Sequence, residues 1–114
     1  MKYKFLVEAS GSITSGYLVK AIQSAGHICV ASDIDSKCYG KYLADDFILM
    51  PKHDDPDFWQ KIKDIIVKNK IDIVIPSLDE TMMGWSERKG EFNQNYGVQV
   101  ILSPPNTINV FDDK

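Results

Sequence analysis

The sequence predicts an α/β protein, a Rossmann-like three-layer fold with a five-stranded, mainly parallel sheet in the order 3-2-1-4-5. Three observations carry that prediction. Strand-length apolar runs recur along the chain, stretches of helical period separate them, and a small-residue loop, Ala9-Ser10-Gly11-Ser12, follows the first run. Strands alternating with helices bury both faces of a parallel sheet, joined by right-handed crossovers. A length of 114 residues fits one domain, and no internal repeat, low-complexity tract or internal linker interrupts it.

Phe5-Leu6-Val7 is the first strand. Leu18, Ala21, Ile22 and Ala25 then share one helical face, and Gly26 suits the position just past the helix end. Ile28 to Ala31 is the second strand, closed by Asp33-Ile34-Asp35. Ser36 to Asp45 reads as a polar loop with up to one helical turn. Phe47 to Met50 is the third strand, stopped by Pro51.

The next helix is signalled most clearly. Asp55 is placed to accept from free backbone N–H groups, Pro56 suits the first helical position, and Asp57 favours the positive end of the dipole. Phe58, Ile62, Ile65 and Ile66 form its apolar stripe. Ile71 to Ile75 is the fourth strand, rich in β-branched residues. A less regular helix spans about 81–95, and Val98 to Leu102 is the fifth strand. Ser103-Pro104-Pro105 begins a helical turn. Residues 1–105 thus read as one domain. Thr107 to Phe111 opens a further element, so 106–114 reads as a lead into another module or as a short frayed terminus.

Composition narrows the function classes. A formal charge of -3 gives no basic footprint for nucleic acid. No apolar stretch has the length to span a bilayer, and the start does not resemble a signal peptide. Cys29 and Cys38 are too few for a disulfide scaffold and lack metal-ligand spacing. These features predict a reduced, cytoplasmic protein.

In open parallel sheets, ligands bind beyond the carboxyl ends of the strands where the order reverses. Here that crevice lies between the first and fourth strands. Its rim is Glu8 to Ser15, then Asp33 and Asp35, then Ser77 to Glu80. The candidate substrate-binding residues are Ser10, Gly11, Ser12, Asp33, Asp35, Ser77, Asp79 and Glu80.

The loop has the shape of a phosphate cradle with the wrong charge around it. Gly11 and Gly16 fit no G-x-G-x-x-G placement, although they satisfy the first part of a P-loop. The following residues are Tyr17-Leu18, where a P-loop requires Lys and Ser or Thr. Glu8, Asp33, Asp35, Asp79 and Glu80 all map to the rim, and a helix end carries only about half a positive charge. An acidic mouth favours amines, hydroxyls or a metal. Asp33 also lies at the distance of a ribose-binding acid, which keeps a small nucleotide- or dinucleotide-binding protein as an alternative.

Quieter roles exist for the same residues. Ser77 and Glu80 match a capping box, and Asp33 and Asp35 suit a turn. His53-Asp54-Asp55 reads as a helix cap before it reads as a metal site. Met82 to Trp85 reads as core or as half of an interface. His27 and His53 lie away from the rim, so no Ser/His/Asp or Cys/His nucleophile set can be assembled.

Taken together, Asp33-Ile34-Asp35, Tyr42-Leu43-Ala44-Asp45, Ile75-Pro76-Ser77-Leu78-Asp79-Glu80 and the closing Ser103-Pro104-Pro105 to Asp113-Lys114 resemble a known family. They are similar to the N-terminal, pre-ATP-grasp domain of carbamoyl-phosphate synthase large-chain-like ATP-grasp proteins, over essentially the whole chain. The first loop departs from the family, carrying Ser10, Ser12 and Ser15 where glycine is more usual. The resemblance implies a domain without catalytic residues of its own. Its parent would be an ATP-dependent ligase, in which a following module holds ATP and magnesium and activates a carboxylate as an acyl phosphate for capture by an amine or other nucleophile. It implies the remaining ATP-grasp domains and a small-molecule substrate as partners, and leaves self-association open. An acidic rim would suit an amine-bearing acceptor. A ligand-free interaction module is the third reading.

Overall fold

The computed structural model describes residues 2–8, 13–34, 43–76 and 79–101, with the backbone alone described at 13–16, 79 and 80. The elements run β1 (Lys4–Val7), α1 (Ile13–Ser24), β2 (Ile28–Asp33), β3 (Asp46–Leu49), α2 (Phe58–Asn69), β4 (Ile73–Ile75), α3 (Asp79–Tyr96) and β5 (Gln99–Val100). The sheet order is β3-β2-β1-β4-β5, as expected, and every pairing is parallel.

Register sorts the strand residues into two faces, because successive side chains point to opposite sides. Leu6 lies beside Val30 and Val74, and Val74 beside Val100. That face packs on Phe58, Ile62 and Ile66 of α2 and on Trp85 and Phe92 of α3. Val7 and Cys29 point the other way, with Phe5 and Ile75, and meet Val19 and Ile22 of α1. The result is three layers: α1, the sheet, and the α2–α3 pair.

The face of α1 departs from the sequence reading. Ala21 and Ala25 are exposed, whereas Val19 is fully buried beside Ile22. Burying a branched valine removes more apolar area from water than burying a methyl, so the helix turns Val19 inward. Its end is as expected. Gly26 adopts φ +88, His27 N–H donates to the Ile22 carbonyl at 3.1 Å, and Gly26 N–H donates to the Gln23 carbonyl at 3.0 Å. These are the two bonds of a Schellman ending.

Helix α2 begins at Phe58, with Asp55 ahead of it. Asp55 Oδ1 accepts the Asp57 N–H at 2.8 Å, and Oδ2 accepts from Lys61 at 2.5 Å. The carboxylate therefore organises the approach to the helix without being its terminal cap. At the other end Lys70 takes the left-handed conformation that glycine usually supplies. Strand β2 extends two residues past the expected end, which draws Asp33 into the sheet, its carbonyl accepting Met50 N–H at 2.8 Å. Helix α3 runs from Asp79 to Tyr96, slightly longer at both ends than its spacing suggested. Most of the Ser36–Asp45 loop, the Ser103-Pro104-Pro105 turn and the Thr107–Phe111 element lie outside the described residues.

Candidate functional site

Strands β1 and β4 are neighbours, yet the helices that follow them cover opposite faces of the sheet. In open parallel sheets, this arrangement is the one that places a ligand crevice beyond the carboxyl ends of such a strand pair. The end of β1 is pinned from both sides. Ser32 Oγ donates to the Val7 carbonyl at 2.7 Å, and Glu8 N–H donates to the Ile75 carbonyl at 3.1 Å.

Glu8 is not an open rim residue, which corrects the sequence reading. It is 2% exposed and points toward α3. Its Oε1 accepts the Thr81 hydroxyl at 2.8 Å, and its Oε2 accepts the Trp85 indole N–H at 3.0 Å. Thr81 and Trp85 are themselves buried, and four residues apart they lie on one face of the helix. A buried indole N–H and hydroxyl each need an acceptor, and a carboxyl group offers two oxygens in fixed relation. Spacing along the chain could place Glu8 near the crevice but gave no direction for its side chain. Thr81 and Ser32 carried no sequence signal as site residues. The sequence marks Trp85 only as core or interface, its i, i+4 relation to Thr81 being the available clue.

Of the predicted rim residues, Asp33 is placed at the end of β2, partly exposed. Its Oδ1 accepts the N–H of Ile34 at 2.7 Å. Asp79 and Glu80 open α3, and their side chains lie outside the described residues, as do Ser10, Gly11, Ser12, Asp35 and Ser77. With Glu8 turned inward, Asp33 is the one remaining predicted rim carboxylate whose side chain lies among the described residues.

Away from the crevice, His27 sits at the amino end of the sheet. Its Nδ1 accepts the Tyr3 N–H at 3.0 Å, and its ring lies against Tyr3 and Phe5. The Lys61 ammonium, followed by the Asp57 N–H, holds the Asp55 carboxyl below the usual aspartate range. Among the described residues, no group of three or more His, Cys, Asp or Glu side chains is arranged to hold a metal ion. None of the helices there is long and apolar enough to cross a membrane.

A family model described as "PylC-like, N-terminal domain" matches residues 9–101. No curated protein matches the chain. Among solved structures, the chain is similar to N5-carboxyaminoimidazole ribonucleotide synthetase from Thermotoga maritima, with a TM-score of 0.61 and 16% identity over 88% of this chain and 24% of that one. It is also similar to the Staphylococcus aureus N5-carboxyaminoimidazole synthetase solved with ADP, with a TM-score of 0.53 and 16% identity over 88% of this chain and 25% of that one. The biotin carboxylase domain of a thermophilic 2-oxoglutarate carboxylase, bound to ADP without magnesium, gives a TM-score of 0.64 and 21% identity over 100% of this chain and 26% of that one. At these identities the likeness is one of fold. The chain spans about a quarter of the length of each structure.

Proposed function

Because the chain belongs to the family of PylC-like N-terminal domains, we propose that it is the pre-ATP-grasp domain of an ATP-dependent ligase. The match of that family model over residues 9–101 carries the reading. The shared fold supports it, since two of the similar structures hold ADP in chains about four times as long. On this reading residues 1–105 are the domain, and 106–114 lead toward the nucleotide-holding part of a longer, cytoplasmic parent. The motifs around Ile75 to Glu80 extend the proposal to a ligase of the carbamoyl-phosphate synthase-like kind.

The residues of this chain do not fit ATP and magnesium themselves. Tyr17-Leu18 occupy the positions where a phosphate loop needs its cation and hydroxyl, and the residues we assign to the rim include Asp33, Asp35, Asp79 and Glu80. We therefore assign nucleotide chemistry to the rest of the parent. To this domain we assign the acceptor side of the cleft, lined by Ser10, Gly11, Ser12, Asp33, Asp35, Ser77, Asp79 and Glu80. Carboxylates there would favour an amine-bearing acceptor over a phosphorylated one.

Calorimetry of the 114-residue chain with ATP and ADP, each with magnesium chloride, tests the division of labour. The expected result is no binding tighter than millimolar, alongside magnesium-dependent ATP binding by the protein read from the full natural reading frame. Micromolar binding of nucleotide by the 114 residues alone would overturn the reading in favour of a small nucleotide-binding protein.

A further inference from the structure

The carboxyl end of β1 and the start of α3 flank the place where the strand order puts a crevice. Glu8 directly follows β1 and Thr81 lies in the first turn of α3, so one contact joins the end of that strand to the start of that helix. That contact joins one carboxyl group to two donors on successive turns of a single helix. Two bonds from different oxygens to residues four apart fix both its rotation and its position along its axis.

We propose that Glu8 is the positioning residue of the crevice, holding the amino-terminal turns of α3 against the end of β1 and so setting the gap that an acceptor enters. The substrate side of this inference rests on the reading above. The mechanical side stands on the geometry alone. Glu8 is itself anchored through its backbone bond to Ile75 and the bond of Ser32 to Val7, so the tether runs from a fixed point in the sheet. Further along α3, Phe92 is buried in the same core as Phe58, Ile62 and Ile66, which gives the later turns apolar contacts besides its ring contact with Trp85.

Amide hydrogen exchange on the 114-residue chain tests this, comparing the unmodified protein with Glu8→Ala and Glu8→Gln. Local opening exposes the amides of one segment without unfolding the rest. In Glu8→Ala, exchange at residues 83–88 is expected to rise about tenfold or more, while residues 92–96 and 62–66 stay within about twofold. Glu8→Gln should restore most of the protection. Its amide oxygen can accept from Trp85, and its NH2 can donate to the Thr81 hydroxyl. Uniform acceleration across all three segments, or none, would overturn the proposal. Should Glu8→Ala fail to fold, Thr81→Val and Trp85→Phe each remove one donor, and the same localised pattern is required of them. No nucleotide enters the measurement, so it can fail while the ligase reading stands, and the reverse.

Discussion

The carboxylate of Asp45 accepts the backbone N–H of Cys29 at 2.8 Å, while the Asp45 N–H donates to the Cys29 carbonyl at 2.9 Å. The same reciprocal pair joins Asp72 to Lys4, at 2.8 and 2.9 Å. In both, an aspartate standing just before a strand closes the amino end of its neighbour, satisfying an N–H the ladder would leave open. Asp72→Ala and Asp45→Ala should each cost about 1–2 kcal/mol, at or below the lower end for a bond to a charged group because both aspartates are exposed. Urea unfolding measures the loss. Asp72→Asn, which keeps an acceptor oxygen, should recover part of it.

The Cys29 thiol gives a prediction about pH. Burial, and secondarily the Asp45 carboxylate, push its pKa from 9.0 up to about 11. In the unfolded chain the thiol ionises at its ordinary value, so between these two values the folded state binds more protons. Stability then falls as pH rises. The contribution is fully present below pH 9 and lost as pH climbs toward 11. Unfolding followed at pH 8, 9 and 10 should show a shallower alkaline decline in Cys29→Ala than in the unmodified chain. In a Cys38→Ser background, Cys29 should resist iodoacetamide at pH 8 until the protein unfolds.

Lys70 is the non-glycine residue with positive φ among the described residues, at φ 54 and ψ 47. Its N–H and that of Ile71 satisfy carbonyls at the end of α2, the Ile71 bond reaching Ile66 at 3.1 Å. The side chain carries the penalty of the left-handed region that Gly26 and Gly97 avoid at the ends of the other two helices. Lys70→Gly should stabilise the protein by roughly 0.5–1 kcal/mol. A rise in the midpoint of urea unfolding with unchanged slope is the expected result.

Much of this architecture could be read from the residues. The strand order followed from apolar runs alternating with helical spacing, and α2 from the i, i+4 relation of Phe58 and Ile62 with Ile66 beyond. The face of α1 could not be read so well, because two alanines weigh equally with larger residues in a pattern but contribute little area when buried. The strand order that the sequence implies is also what points to a crevice beyond β1 and β4. The direction of the Glu8 side chain could not be read, since it is decided by two donors more than seventy positions away. Chain spacing records that a carboxylate stands at the end of a strand. It does not record which side of the sheet will need it.

The α2–α3 contact supplies a last prediction, in which two glycines of one helix should behave oppositely. Both lie inside α3, where alanine is favoured over glycine by about 1 kcal/mol. A Cβ at Gly90 would meet nothing within 4 Å, so Gly90→Ala should stabilise by nearly that amount. At Gly84 a Cβ would overlap the Trp59 indole. That ring cannot easily yield, being set edge-on against Trp85 and Phe58 at 5.0 Å each, with the Arg88 guanidinium over it at 4.3 Å. Overpacking of this kind typically costs about 1–3 kcal/mol beyond any gain in propensity. Gly84→Ala should therefore lower the unfolding midpoint while Gly90→Ala raises it. A Gly84→Ala variant as stable as Gly90→Ala would mean that the indole is free to move, and that the two helices are packed more loosely than the ring contacts imply.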